Sequence, residues 1–213
     1  MKLFYWATKT SFRLLFKLFY NHKIYGTSLI PPGAAIVAAN HCSFFDPPII
    51  AASLPEEGYF LARSSLFKNA FLKLLIENLN AYPVSGTAQD LNSFKIIARL
   101  LKENKKAVIF PEGIRSYDGS LGEIKTGVAM LAIKANCPII PLYIHGSFEV
   151  WPRQEKLFKF KGKTGCVFGH PLYPEIDPAK TKKQQQELLT ERLKESIIGL
   201  RNWYLDGAKG TPP

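Results

Sequence analysis

Cysteine is scarce in this 213-residue chain: Cys42, Cys137 and Cys166 are odd in number, widely spaced and never arranged as CxxC. That pattern argues against a disulfide framework and against a zinc site, and it suits a reducing compartment. Long apolar runs are missing too; none reaches the ~18 residues of a membrane-spanning helix. The amino-terminal stretch lacks a small-residue cleavage site behind an apolar core, so it does not read as a cleaved signal peptide. Acidic residues are outnumbered, 17 against 28 basic ones, for a formal net charge of +11 and a pI near 9.5. Such a surface attracts nucleic acid, anionic lipid or phosphorylated small molecules, and charge alone does not choose among them. No arginine-rich block or aromatic–basic repeat of a nucleic-acid module is present, which sets nucleic acid aside as a partner. With no internal repeat, no low-complexity linker and a 46% hydrophobic fraction, the chain reads as one domain with a sizeable core.

What is present begins with an amphipathic amino terminus. Projected at roughly 100° per residue, Lys2, Lys9, Arg13 and Lys17 share one narrow face. Leu3, Phe4, Phe12, Leu14, Leu15, Phe16, Leu18 and Phe19 occupy most of the remainder. A helix of this kind can lie in the plane of a bilayer, rings among acyl chains and ammonium groups at lipid phosphates. The alternative is an ordinary first helix packed on the domain's own core, and the many large aromatics flanking a purely basic face favour the membrane. The membrane alternative sets residues 1–27 apart as an association segment and makes an anionic membrane surface a partner.

Further on, short apolar runs alternate with helical periodicity. Strands are predicted at residues 34–39, 59–62, 107–110 and 138–145, with another around Val167 and Phe168. Helices are predicted from Asp46, which caps a Pro-Pro first turn, and over residues 67–79, 90–102, 126–135 and 182–203. The alternation implies an α/β layer structure, with a mixed, mostly parallel sheet flanked by helices and ligands at the carboxyl ends of strands. Residues 28–205 form its single catalytic domain, and residues 206–213 a flexible, frayed tail.

Two motifs fall at such strand ends. The first, Asn40-His41-Cys42-Ser43-Phe44-Phe45-Asp46, places an imidazole after one strand and a carboxylate at the next helix start. Asp46 can then accept the ring Nδ1–H and leave Nε2 free to take a hydroxyl proton near neutral pH. Cys42 points to the opposite side from His41 and is assigned to packing. Cys166 with His170 lacks further ligands at a metal-binding spacing, His145 reads as a core or loop histidine, and His22 as a solvated one. In the second motif, Phe110-Pro111-Glu112-Gly113-Ile114-Arg115, Glu112 both organises the turn through backbone N–H groups and shapes an acceptor site. Gly113 permits close approach of a ligand, Arg115 can grip a phosphate bidentately, and Lys125 can add a second cation. Together the motifs suggest acyl transfer to a hydroxyl on an anionic acceptor.

On these residues the chain resembles the glycerophospholipid acyltransferase family, specifically bacterial 1-acyl-glycerol-3-phosphate acyltransferases. NHCSFFD is similar to the family's first motif, FPEGIRS to its third and CPIIPLYI to its fourth, across residues 28–175. The resemblance implies a membrane-bound enzyme that moves a fatty acyl chain from acyl-coenzyme A or acyl carrier protein to lysophosphatidic acid, giving phosphatidic acid. No cofactor or metal is expected, and the location implied is peripheral or monotopic at the cytoplasmic face of a membrane. It makes His41 the general base and Asp46 its partner, puts Glu112, Gly113 and Arg115 at the acceptor site, and Pro141 in the acyl-donor motif. One position departs. The family's second motif carries an arginine after a Pro-Val pair, thought to hold the acceptor phosphate; here Ser85-Gly86 follow Pro83-Val84. Either Arg63, Arg115 and Lys125 hold the phosphate without it, or the acceptor is another lysolipid or amphiphile. A non-catalytic lipid-binding protein is the remaining alternative.

Overall fold

The computed structural model describes residues 2–85 and 91–213. Among them, apolar runs bounded by turn residues become strands β1 (Lys23–Tyr25), β2 (Ala35–Ala39), β3 (Gly58–Arg63), β4 (Ala81–Val84), β5 (Lys106–Ile109), β6 (Ile139–His145) and β7 (Gly165–Phe168). They form one sheet in the order β1-β7-β6-β2-β5-β3-β4, parallel throughout except between β6 and β7. Its helices are α1 (Lys2–Tyr20), α2 (Asp46–Ser53), α3 (Ala70–Asn78), α4 (Leu91–Lys102), α5 (Gly127–Ala135), α6 (Ser147–Val150) and α7 (Lys182–Leu205). The α/β class and the mixed, mostly parallel sheet follow the expectation.

Central strand β2 is buried at every residue, which is why its sequence has no polar alternation. Its two-residue period sends Ala35, Val37 and Ala39 into one core, and Ile36 and Ala38 into another. The first core lies under α1 and α2, with Phe16, Ile49, Ile50 and Leu54. The second lies under α4, α5 and α7, with Ile97, Val128, Leu131, Leu189 and Leu193. Each such aliphatic side chain contributes roughly 1.5–3 kcal/mol before entropy is counted.

The elements missed by periodicity are those that packing, rather than pattern, defines. Strands β1 and β4 are the two edges of the sheet, and β4 contains Pro83, which a central strand would not accept. The helix predicted over residues 67–79 breaks in two. A 3-10 turn covers Ser64–Lys68, and Asn69 then caps α3, its Oδ1 accepting from Leu72 N at 3.0 Å. Asp46 is the first residue of α2 rather than its cap, a position held by Phe45. The start predicted for α4 at Asp90 lies outside the described residues. Residues 206–213, expected to fray, run back over the domain. Trp203 Nε1 donates to Lys209 O at 2.9 Å, His170 N–H to Pro213 O at 3.4 Å, and Pro212 is buried.

Helix α1 packs on the domain's own core along one face only. Tyr5, Phe16 and Tyr20 are buried in the first core, while Leu3, Leu14 and Leu18 on the opposite side stay 81%, 55% and 77% exposed. Lys9, expected on the basic outer face, is instead buried, its ammonium donating to Leu54 O and Glu56 O. Burial pushes that ammonium down to about 8.

His22, expected to be solvated, is half-buried and fully engaged. Nδ1 meets Thr164 Oγ1 at 2.9 Å and Nε2 meets Ser53 Oγ at 2.8 Å, tying the end of α1 to α2 and β7. Ser53 donates its own hydrogen to Ile49 O, so Nε2 carries the imidazole proton. Burial, with Arg13 as the lesser cause, lowers His22 from 6.5 to about 4. A histidine depressed on folding takes up its proton earlier in the unfolded chain. Its contribution is therefore complete above pH 6.5 and is lost as pH falls from there toward 4, up to roughly 3 kcal/mol. Denaturant titrations at pH 7 and pH 4.5 are expected to show a smaller loss for His22→Gln than for the wild type. An identical loss in both would refute the assignment.

Candidate active site

The exit of β2 is held by a side chain that imitates a strand. Asn40 Nδ2 donates to Ile144 O at 3.0 Å and Asn40 Oδ1 accepts from Ile144 N at 2.7 Å, which continues the β2–β6 pairing past the last strand residue. His41, next in sequence, has its main chain gripped from the other flank. Its N–H donates to Glu112 Oε1 at 2.7 Å, and its carbonyl accepts from Ser116 N at 2.7 Å. The imidazole lies flat on Phe110, ring centroids 3.9 Å apart and planes 15° from parallel.

Asp46 points back from α2 into this loop and is fully buried. Its Oδ2 accepts from His41 Nδ1, Cys42 N and Ser43 N, each at 2.7 Å. Oδ1 accepts from Ser147 Oγ at 2.6 Å. A carboxylate oxygen in that role requires the hydrogen of the imidazole to sit on Nδ1, leaving the Nε2 lone pair free. The side chain of His41 keeps 18% exposure, so the ring is held yet reachable. Cys42 is buried with its thiol pushed up, first by burial and then by Asp46, which leaves no thiolate nucleophile. Sequence reasoning missed Ser147. Its signal was Gly146-Ser147 directly after β6, another strand end on the ligand-bearing edge.

Glu112 braces rather than faces outward: Oε1 takes the His41 N–H and Oε2 takes the Gly122 N–H at 2.8 Å. Burial still raises its pKa, the backbone donors opposing that shift. Gly113 adopts φ +75°, and a Cβ there would sit 3.0 Å from Lys125 Nζ, so glycine serves both the turn and the passage of the lysine. Its N–H closes the turn onto Phe110 O at 3.0 Å and is engaged there. Arg115 is half-buried, Cζ 3.6 Å from the centroid of Phe44. Arg63 ends β3 opposite Val84 of β4, beside the second-motif position. His41, Asp46, Glu112, Gly113, Arg115 and Lys125 therefore belong to one constellation of loops. His145 instead lies against Tyr204, ring centroids 4.4 Å apart and planes tilted by 33°. Among the described residues no group of three or more His, Cys, Asp or Glu side chains could hold a metal ion.

The family model described as Acyltransferase matches residues 21–145, more than half of the chain and the whole stretch from β1 to the end of β6. The chain belongs to the acyltransferase family. A Bacillus subtilis protein described as 1-acyl-sn-glycerol-3-phosphate acyltransferase is 26% identical over 84% of this chain and 88% of its own length. A Streptococcus pneumoniae protein of the same description is 27% identical over 71% of this chain and 53% of its own. The crystal structure of the 1-acyl-sn-glycerophosphate acyltransferase PlsC from Thermotoga maritima superposes with a TM-score of 0.74 at 26% identity, covering 94% of this chain and 79% of that one. The protein is thus an acyltransferase enzyme of PlsC-like fold, and the His41–Asp46 constellation lies inside the matched region. No helix among the described residues of this acyltransferase is long and apolar enough to cross a membrane.

Proposed function

We propose that this acyltransferase acylates the 2-hydroxyl of 1-acyl-sn-glycerol 3-phosphate, using acyl-coenzyme A or acyl carrier protein as donor, and releases phosphatidic acid. The observation that carries the chemistry is the 2.7 Å contact between His41 Nδ1 and a fully buried Asp46. Nε2 of His41 removes the hydroxyl proton as the oxygen attacks the thioester carbonyl. Asp46 stabilises the imidazolium that forms. The tetrahedral intermediate collapses with cleavage of the C–S bond, and the imidazolium returns its proton to the departing thiolate. Neither Cys42 nor a serine need enter as nucleophile. Glu112 holds the base in register through the His41 backbone, while Arg115, Lys125 and Arg63 supply positive charge for the acceptor.

The acceptor is supported by the relatives' descriptions and by these cations. Ser85, standing where the family carries its second-motif arginine, favours a different lysolipid as the competing reading. One labelled acyl donor offered with lysophosphatidic acid, lysophosphatidylethanolamine or monoacylglycerol separates them. Lysophosphatidic acid is expected to be acylated at least about tenfold faster than the others, as one retained charge-assisted contact would dictate. Equal or faster acylation of another acceptor would transfer the function to that lipid.

The exposed face of α1 supports membrane attachment at the cytoplasmic leaflet. Because Tyr5, Phe16 and Tyr20 are core residues, removing the segment would also breach the core. Substitution on the outer face is the cleaner test. Leu14→Ser combined with Leu18→Ser is expected to weaken sedimentation with anionic vesicles by roughly tenfold or more, with the melting temperature unchanged. Undiminished vesicle binding would leave α1 as a packing element only.

A further inference from the structure

Arg115 carries an unmet demand. Its Nη1 is buried and has no hydrogen-bond partner. A buried guanidinium donor in that state is costly unless something anionic arrives to accept from it. Arg153, six residues after α6 begins, is drawn to the same place. Its Nη1 donates to the Arg115 carbonyl at 2.9 Å and its Cζ stands 3.8 Å from the centroid of Tyr117. The segment bearing it is tied to the catalytic loop, since Ser43 Oγ donates to Trp151 O at 2.8 Å and Ser43 pairs with Pro152. Burial, then Arg153, then Arg63 depress the pKa of Arg115, with Asp46 opposing them. The arginine ion pairs among the described residues involve Arg99 and Arg192, none of these three.

Like charges gathered with no ion pair to a carboxylate among the described residues are poised for a ligand with more than one negative charge. A phosphate monoester, dianionic and rich in acceptor oxygens, matches that description better than a carboxylate or a phosphodiester. We infer that Arg153 is a direct ligand of the acceptor's phosphate, joining Arg115 and Arg63 where Ser85 offers no charge. One of its five N–H donors is spent on the Arg115 carbonyl, which aims the fork while the rest remain for the ligand. Tyr117 fixes the guanidinium plane. The inference rests on the acylation of a phosphomonoester proposed above.

The test compares wild type, Arg153→Gln and Arg153→Lys with lysophosphatidic acid and with monoacylglycerol of the same chain, at saturating donor. Arg153→Gln is expected to raise KM for lysophosphatidic acid roughly ten- to hundredfold with kcat nearly retained, and to leave monoacylglycerol acylation unchanged. Arg153→Lys should recover part of the loss. Thermal stabilisation by sn-glycerol 3-phosphate, expected for the wild type, should vanish in Arg153→Gln. An unchanged KM, or equal losses with both acceptors, overturns the assignment, the latter by making Arg153 a brace for the Arg115 loop. Should the wild type itself ignore the phosphate, the functional reading falls, and this inference with it. If Arg153→Gln does not fold, the KM shift and the thermal shift of Arg153→Lys decide alone.

Discussion

His41→Ala is expected to lower kcat/KM for acyl transfer by about 10³-fold or more while the protein melts within a few degrees of the wild type. The asymmetry follows from the contacts. Truncating His41 removes the only group in the constellation with a free basic nitrogen, so the acceptor hydroxyl must attack with its proton in place. Asp46, however, keeps the Cys42 and Ser43 N–H groups and the Ser147 hydroxyl, and is not stranded as a buried unpaired charge. The main chain of His41 still reaches Glu112 and Ser116. Steady-state rates and circular-dichroism melts on one preparation provide both halves of the comparison. Turnover close to wild type by the folded variant would remove His41 as the base.

Substitutions of Asp46 should separate architecture from chemistry. Asp46→Ala strands two backbone N–H groups, a hydroxyl and the His41 Nδ1–H around a fully buried position. Breaking such a buried charged network costs roughly 3–5 kcal/mol, a large part of the roughly 5–15 kcal/mol that holds a domain folded. Poor expression or a sharply lowered denaturation midpoint is expected. Asp46→Asn is different. Its carbonyl oxygen can take the place of Oδ2 and keep all three acceptances there. Its amide then meets Ser147, whose hydroxyl is free to turn toward Cys42 Sγ at 3.3 Å. What disappears is the negative charge beside a forming imidazolium, and activity should drop on the order of 10²–10⁴ with most of the stability kept. Full activity in Asp46→Asn would show that the carboxylate orients the ring without stabilising its charge.

Most of this site could be read from one dimension because its residues cluster in two short loops that follow apolar strands. His41 and Asp46 are close in the chain, so a strand end and a helix start suffice to bring them together. The same holds for Glu112, Gly113 and Arg115, although the attachment of Glu112 to the His41 backbone was not foreseeable, since it depends on β2 and β5 being neighbours. Ser147 and Arg153 escaped notice for the same reason. They reach the catalytic loop because β6 lies on the other flank of β2, and strand order is a property of the assembled sheet. Lys9 was misplaced because a helical projection assigns faces but not which face meets the core, and His22 because basic neighbours in the chain do not tell what packs over a side chain.

Composition, hydrophobic period and motif spacing by themselves determined the α/β class, the strand ends that carry the two motifs, and the pairing of His41 with Asp46. These are local matters, settled by backbone geometry within a few residues. Only the tertiary structure decided which polar groups are buried and what satisfies them: the four donors on Asp46, the engaged His22, the enclosed Lys9, and the unsatisfied Arg115. Burial is set by everything packed around a group, and desolvation, which depends on burial, governs how a charge behaves there.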